Sequence, residues 1–315
     1  VEELPIEPAH VVLVRRLNAL GIPDQTLRSA AGRDAFHRIR RGAYLPRDAW
    51  TAAGRDERYL SRIVAVVGTR RSSVVLSHHS AALIHGLPVA DGWPTQVHVT
   101  EPPDTARRSK NGVVVHRRAL DRVEELDGML MTDVARTVVD IAADGAFVDA
   151  VCVADAALRR GISRDELRGA LESRPGPGRS RATRVIEFAE PLAETPLESW
   201  SRAVIDELGF PRPVLQYEIA TVGGIRRLDF MWPDVDAGAE ADGLWKYGAI
   251  AEAQGMTGHE AFRREKAREA DVRMHLRAFT RWGADDVRDR ERLRHLLLSL
   301  GLRRLPSYRP RHPLR

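Results

Sequence analysis

The sequence predicts a mixed α/β protein of more than one domain, and three observations lead there. Its 315 residues exceed what one compact domain usually holds. Apolar residues switch repeatedly between helical and alternating spacing. The stretch SRPGPGRSRAT, residues 173–183, concentrates Pro, Gly, Ser and Arg with no apolar anchor. Hydrophobic content of 43% and charged content of 30% belong to a soluble globular chain rather than a disordered one. No apolar run reaches the roughly 18–20 residues that span a bilayer. The opening VEELPIEPAH is acidic and holds prolines, which is not the chemistry of a signal peptide. No membrane association and a cytoplasmic location are therefore expected.

Residues 1–50 come first. HVVLVRRLNAL (10–20) carries apolar residues at helical spacing, and Gly21 stops it. Pro23 and Asp24 start a second helix, PDQTLRSAA, which Gly32 ends. AFHRIRRGAYL then alternates around a glycine, as a short two-stranded ribbon would. Helix, tight turn, helix and basic ribbon is the order of a winged helix-turn-helix. In such a domain Gln25, Thr26 and Arg28 would meet base edges, and Arg38, Arg40 and Arg41 would meet phosphates. A formal net charge of +5 permits a polyanionic partner, DNA being the expected one. The alternative is a small helical cap whose arginines are merely solvated.

Residues 56–172 are expected to form an α/β middle domain. YLSRIVAVVG reads as a helix, and VVLSHHSAALIHGLP as a strand end running into a helix. QVHVTEP and GVVVHRR read as strands, TDVARTVVDIAA and FVDAVCVADAALRRG as helices. His78, His79 and His85 lie close in sequence. His78 and His79 are adjacent and cannot share a helix face, and no carboxylate falls at a useful spacing beside them. A structural or hydrogen-bonding role is expected of them. Cys152 is the only cysteine, which excludes an internal disulfide or a thiolate zinc cluster. Its Ala-rich surroundings predict a small buried residue. Residues 173–191 are expected to be an exposed linker.

The C-terminal part, 192–303, opens with TPLESWSRAVIDELGF. Thr195 is the expected cap, Pro196 the first helical residue and Glu198 a first-turn acid, with Leu197, Trp200, Val204 and Leu208 forming an apolar stripe. Strands PRPVLQYEIA and RRLDFMWP follow, then a turn and a third strand from AEADG. EAFRREKAREADVRMHLR reads as a helix bearing Glu265 and Glu269 one turn apart, RAFTRWG as a last strand and DDVRDRERLRHLLLSLGL as a closing helix. Residues 304–315 form a tail expected to be disordered.

The hairpin is chemically odd. Asp229 stands among Leu228, Phe230, Met231 and Trp232, while Glu240 and Asp242 are two apart and so share a strand face. Clustered carboxylates repel one another and are costly to desolvate unless a cation joins them. A Mg²⁺ ion would satisfy such a site and could activate water against a phosphate, with Lys246 steadying the developing charge. The alternative is a hairpin with solvated acids on its open face.

Glu198, "PRPVLQ", "RRLDFMWP", "AEADG" and "REKARE", in that order within 192–302, resemble the very-short-patch-repair-like branch of the PD-(D/E)XK nuclease fold, in a family of unassigned function. The resemblance implies a restriction-endonuclease-like α/β domain. It makes Asp229 the motif's Asp and Glu240 its acidic third element. It places Glu198 in a metal shell with Asp229 and Glu240. The motif's lysine, expected two residues after Glu240, is here Asp242, so Lys246 or Lys266 would have to replace it. Trp245, Lys246 and Tyr247 stand where the branch often carries a histidine. "HRIRRGAYLP" and "LSHHSAALIHGLPV" are similar to AbiEi-type antitoxins of type IV toxin–antitoxin systems, which implies a winged helix, DNA-binding autoregulation and a toxin partner. The expected protein binds DNA and carries a Mg²⁺-dependent endonuclease site formed by Asp229, Glu240, Asp242 and Lys246. The alternative is an antitoxin-like transcriptional regulator whose nuclease-fold module does not cut.

Overall fold

The computed structural model describes residues 11–19, 35–70, 72–105, 108–174, 176–242 and 258–306. The chain divides into two units, residues 1–189 and 190–315, each mixing helices with sheet. Among the described residues no helix is long and apolar enough to cross a membrane.

The first unit begins with a small antiparallel sheet in the order β1-β3-β2, where β1 is Val12–Leu13, β2 Phe36–Arg40 and β3 Ala43–Pro46. The basic ribbon forms as predicted, turning at Gly42 with φ of +85°. Residues 10–20, in contrast, are not one helix. Val12 and Leu13 pair with Tyr44 and Ala43, and the helix spans only Val14–Ala19. Burial of Leu13 explains the difference. It packs on Ala43 and Ala65, and it fits only because residue 68 is glycine, where a Cβ would stand 2.4 Å from its Cδ1. The second predicted helix lies outside the described residues.

The 15-residue helix Arg55–Thr69 joins what the sequence suggested were two domains. Ala65 faces the small sheet, while Tyr59, Ile63 and Val66 enter a second core with Leu76, Val97, Val99 and Met131. Two cores sharing one helix belong to one compact unit. That second core belongs to a five-stranded sheet in the order β6-β5-β4-β8-β7: β4 Val75–Leu76, β5 Val97–Glu101, β6 Val113–Arg117, β7 Glu124–Leu126 and β8 Met129–Met131. Strand β5 runs parallel to β6, and β4 parallel to β8. Helices His78–Ile84, Val134–Asp144, Phe147–Arg159, Arg164–Glu172 and Arg179–Phe188 complete the unit, and Cys152 is buried as expected.

The expected linker at 173–191 is corrected by this packing. Ala182, Val185, Ile186 and Ala189 enter the core beside Val139, Ala142 and Ala154. Arg174, with a fully buried side chain, donates to Asp140 at 2.8 Å and Asp144 at 2.6 Å. Gly178 caps the last helix at φ +93°, with Ala143 O only 2.5 Å from where a Cβ would sit. The Pro-Gly composition therefore serves a tight turn pressed onto the protein.

In the second unit the helix Pro196–Glu207 precedes the antiparallel strands β9 (Val214–Thr221), β10 (Gly224–Trp232) and β11 (Ala237–Ala241). The helix Gly258–Arg273 then leads to β12 (Ala278–Trp282), parallel to β11, giving the sheet order β12-β11-β10-β9. Trp282 Nε1 donates to Ser201 Oγ at 2.9 Å, and Val272 packs with Leu228, Met231 and Phe279. The expected closing helix is two, Ala284–Arg288 and Arg290–Ser299, because Asp289 leaves helical geometry to cap the second. The amide of Leu305, in the predicted tail, donates to Gly209 O at 2.8 Å.

Candidate functional site

The antiparallel ladder of β10 and β11 runs from Trp232 opposite Ala237 to Phe230 opposite Ala239, one residue short of Asp229 and Glu240. Asp229 Oδ2 accepts the amide of Ala241 at 2.8 Å, so its carboxylate reaches across to β11. Glu240, only 5% exposed, pairs in the parallel ladder with Arg281. The guanidinium of Arg281 donates to Glu240 Oε2, lies 3.3 Å from Asp242 Oδ2, and lies 3.7 Å from Glu269. Arg268 adds a bidentate grip on Glu240, Nη1 to Oε1 at 2.7 Å and Nη2 to Oε2 at 2.6 Å.

Glu198 is 1% exposed and equally occupied. Its Oε1 accepts from Thr195 Oγ1 at 2.8 Å, and its Oε2 accepts from Glu194 N and Gln216 Nε2, each at 2.9 Å. Thr195 Oγ1 accepts in return from Glu198 N at 3.2 Å, so this acid closes its own helix start. Mg²⁺ requires a near-octahedral oxygen shell at about 2.0–2.1 Å. Among the described residues Glu198, Asp229 and Glu240 do not converge to ligand spacing, and protein donors hold the oxygens of Glu198 and Glu240. This donor set does not fit a Mg²⁺ shell. The positive charge that the buried Glu240 demands comes instead from Arg268 and Arg281.

Lys246 lies outside the described residues. Lys266, the other lysine considered, donates to Glu269 at 3.1 Å, and Arg273 reaches the same carboxylate at 2.9 Å. Burial pushes the Glu269 pKa up, but hydrogen bonds from Lys266 and Arg273 and the charge of Arg281 outweigh it and lower the pKa. The helix charges thus form an ion-pair face, and Arg268 extends it to the hairpin acids.

At the ribbon, Arg38 and Arg41 are exposed and Arg40 is half-buried, while Gln25, Thr26 and Arg28 lie outside the described residues. Burial and the nearby charge of Arg70 both lower the Arg40 pKa. Burial together with Arg47, Arg62 and Arg58 lowers that of His37. The His37 ring stacks on Trp50 at 4.2 Å, and the guanidiniums of Arg58 and Arg62 lie 5.5 and 5.6 Å from the Trp50 ring. Cations and an aromatic ring are therefore interleaved beside the ribbon. The sequence shows Arg38, Arg40 and Arg41 as a run, but the tertiary fold brings up Arg58, Arg62 and Arg70.

The three histidines separate. His85 Nε2 donates to Thr132 O at 2.8 Å, a hydrogen-bonding role as expected. His78 and His79 each meet a carboxylate that sequence spacing had hidden, Asp144 and Asp149, both at 3.2 Å.

No family model matches this chain. It is 31% identical over 204 residues to two Mycobacterium tuberculosis proteins, uncharacterized protein MT2308 of strain CDC 1551 / Oshkosh and uncharacterized protein Rv2248 of strain ATCC 25618 / H37Rv. The match covers 62% of this chain and 73% of each relative. The chain belongs to the family of these two proteins. The crystal structure of the RV2827C protein from Mycobacterium tuberculosis is a distant neighbour at 20% identity and a TM-score of 0.39, covering 57% of this chain and 72% of that one.

Proposed function

We propose that this family member is a DNA-binding protein of the antitoxin-like regulator kind, whose nuclease-like C-terminal module binds without cutting. The observation that carries the binding half is the basic ribbon. Exposed Arg38 on β2 and Arg41 in the turn after it have surroundings that concentrate Arg47, Arg58 and Arg62, a charge density suited to a phosphate backbone. The non-cutting half follows from Glu240, whose oxygens two guanidiniums occupy. In this reading the ribbon is the wing of a winged helix, and a toxin is the protein partner.

A second reading, DNA hydrolysis by Asp229 and Glu240, draws support from Asp229 Oδ2 accepting the amide of Ala241, the residue after Glu240 on β11. It also draws support from the order helix, three antiparallel strands, helix and parallel strand, which is what likeness to a PD-(D/E)XK module implies. Purified protein mixed with plasmid and Mg²⁺, alongside Asp229→Ala, separates the two. Retarded DNA with a steep salt dependence and no nicking supports regulation. Nicking that Asp229→Ala abolishes reinstates hydrolysis, and absence of both binding and nicking sinks both readings.

A further inference from the structure

A further cluster of chemistry-bearing side chains lies in the first unit. Strands β5 and β6 are parallel with His98 opposite Val114 and Thr100 opposite His116, so His98 and His116 sit diagonally on one sheet face. The helix His78–Ile84 packs against β5 and brings His78 to them. His98 Nδ1 is 3.0 Å from His116 Nε2, and the His78 and His116 rings stack at 3.6 Å. One ring nitrogen from each of the three lies within 4.8 Å of the others. Two nitrogens on a tetrahedral zinc ion stand about 3.3–3.4 Å apart when each bond is about 2.0–2.1 Å. The His98–His116 pair is held near that distance by a hydrogen bond between the two rings, whose proton a bound ion would replace.

The surroundings are those of a metal site rather than of a packed core. Asp144 Oδ2 lies 3.2 Å from His78 Nε2 and 3.9 Å from His116 Nδ1, the carboxylate–imidazole pairing that orients metal-bound histidines. Arg174 in turn holds that carboxylate at 2.6 Å. Burial tends to raise the pKa of Asp144, but the hydrogen bond from His78 and the charge of Arg174 keep it ionised well below the usual range. His78 itself is held at φ +51°, an unusual backbone state for a non-glycine residue. A neighbouring buried nitrogen, His79 Nδ1, has no hydrogen-bond partner.

We infer that His78, His98 and His116 bind one transition-metal ion of the zinc class, with Asp144 as the carboxylate that orients them. With His78 Nε2 and His116 Nδ1 facing Asp144, the ligand atoms are His78 Nδ1, which now contacts Ser77 Oγ at 3.0 Å, and His98 Nδ1 and His116 Nε2, which must release their shared hydrogen bond. Loading requires the stacked His78 and His116 rings to turn until their lone pairs converge. Imidazole ligands select zinc, copper, nickel or iron over magnesium and calcium. His116 also lines an open pocket of about 550 Å³ with Arg108, Ser109, Val115, Arg117 and Arg118.

The test uses the full chain, stripped with chelator, then titrated with Zn²⁺ by calorimetry and with Co²⁺ by visible absorption. One equivalent should bind, and Co²⁺ should show the ligand-field bands of a low-coordinate nitrogen site. A His98→Asn/His116→Asn variant should lose that equivalent. Asp144→Asn should weaken it roughly 10–100-fold, while His85→Gln should leave it unchanged. Absence of stoichiometric binding, or binding that survives in the double variant, overturns the assignment. Should the double variant fail to fold by circular dichroism, ring-nitrogen NMR of the unaltered protein decides. Zn²⁺ must then shift His78, His98 and His116 but not His85, and any other pattern overturns the site.

Discussion

Arg268 holds Glu240 through two parallel hydrogen bonds of 2.7 and 2.6 Å, joining the helix before β12 to the acid at the centre of the hairpin. Arg281 also holds Glu240 Oε2, so removing Arg268 weakens the compensation of this buried carboxylate without abolishing it. Arg268→Met should therefore cost about 1.5–3 kcal/mol in urea denaturation, the range of a hydrogen bond to a charged group. Adding Glu240→Leu should restore part of the loss, because Arg281 keeps Asp242 and Glu269 as partners. An Arg268→Met protein as stable as the parent would mean that Arg281 alone balances Glu240.

The Glu198 contacts give a different signature. Three protein donors end on its carboxylate, so Glu198→Ala leaves the amide of Glu194 and the side chain of Gln216 without their acceptor. A loss of about 2–4 kcal/mol is expected from unsatisfied buried donors and a lost cap. Measurement in chelator and in Mg²⁺ should give the same value. A loss seen only with Mg²⁺ present would return Glu198 to a metal shell.

Arg174 separates an exposed linker from a built-in turn. With its guanidinium shared between Asp140 and Asp144, Arg174→Met should destabilise the first unit by about 3–5 kcal/mol. Substitution in a solvated linker would stay within about 0.5 kcal/mol.

DNA affinity should respond to the ribbon in a way that charge alone sets. Arg38→Ala/Arg41→Ala should weaken binding to unrelated duplexes by similar factors. It should also reduce the slope of log affinity against log salt by about 2, roughly one per lost phosphate contact. An unchanged slope would remove these two arginines from the interface.

Tyr59 makes stability sensitive to alkali. Burial raises the pKa of its phenol, which contacts Ser80 Oγ at 2.8 Å and donates to Gln96 O at 3.0 Å, while the Ser80 bond offsets only part of the rise. The unfolded phenol ionises near pH 10 and the folded one resists, so the stabilisation is complete below about pH 10 and declines as pH rises. Tyr59→Phe should flatten that decline in denaturation curves recorded from pH 8 to 11.

Much of the secondary structure was legible from local pattern. The cap and stripe of Pro196–Glu207, the basic ribbon and the three antiparallel strands of the second unit follow from spacing, turn residues and the alternation of apolar side chains. The acids of the hairpin were visible too, because a carboxylate inside an apolar run stands out in any sequence. What satisfies them was not visible. Arg268 and Arg281 lie 28 and 41 residues from Glu240, and only the crossover to β12 brings them there. The same holds for His78, His98 and His116, which come from one helix and two strands, and for Arg174, whose Pro-Gly neighbourhood looks solvated until Asp140 and Asp144 face it. Local spacing determines which backbone shapes are cheap, and so the sequence alone determined the elements and their exposed charges. Long-range packing determines which buried charge meets which distant counter-charge, so the arginines that hold Glu240, and the one that Asp140 and Asp144 share, were decided only by the tertiary structure.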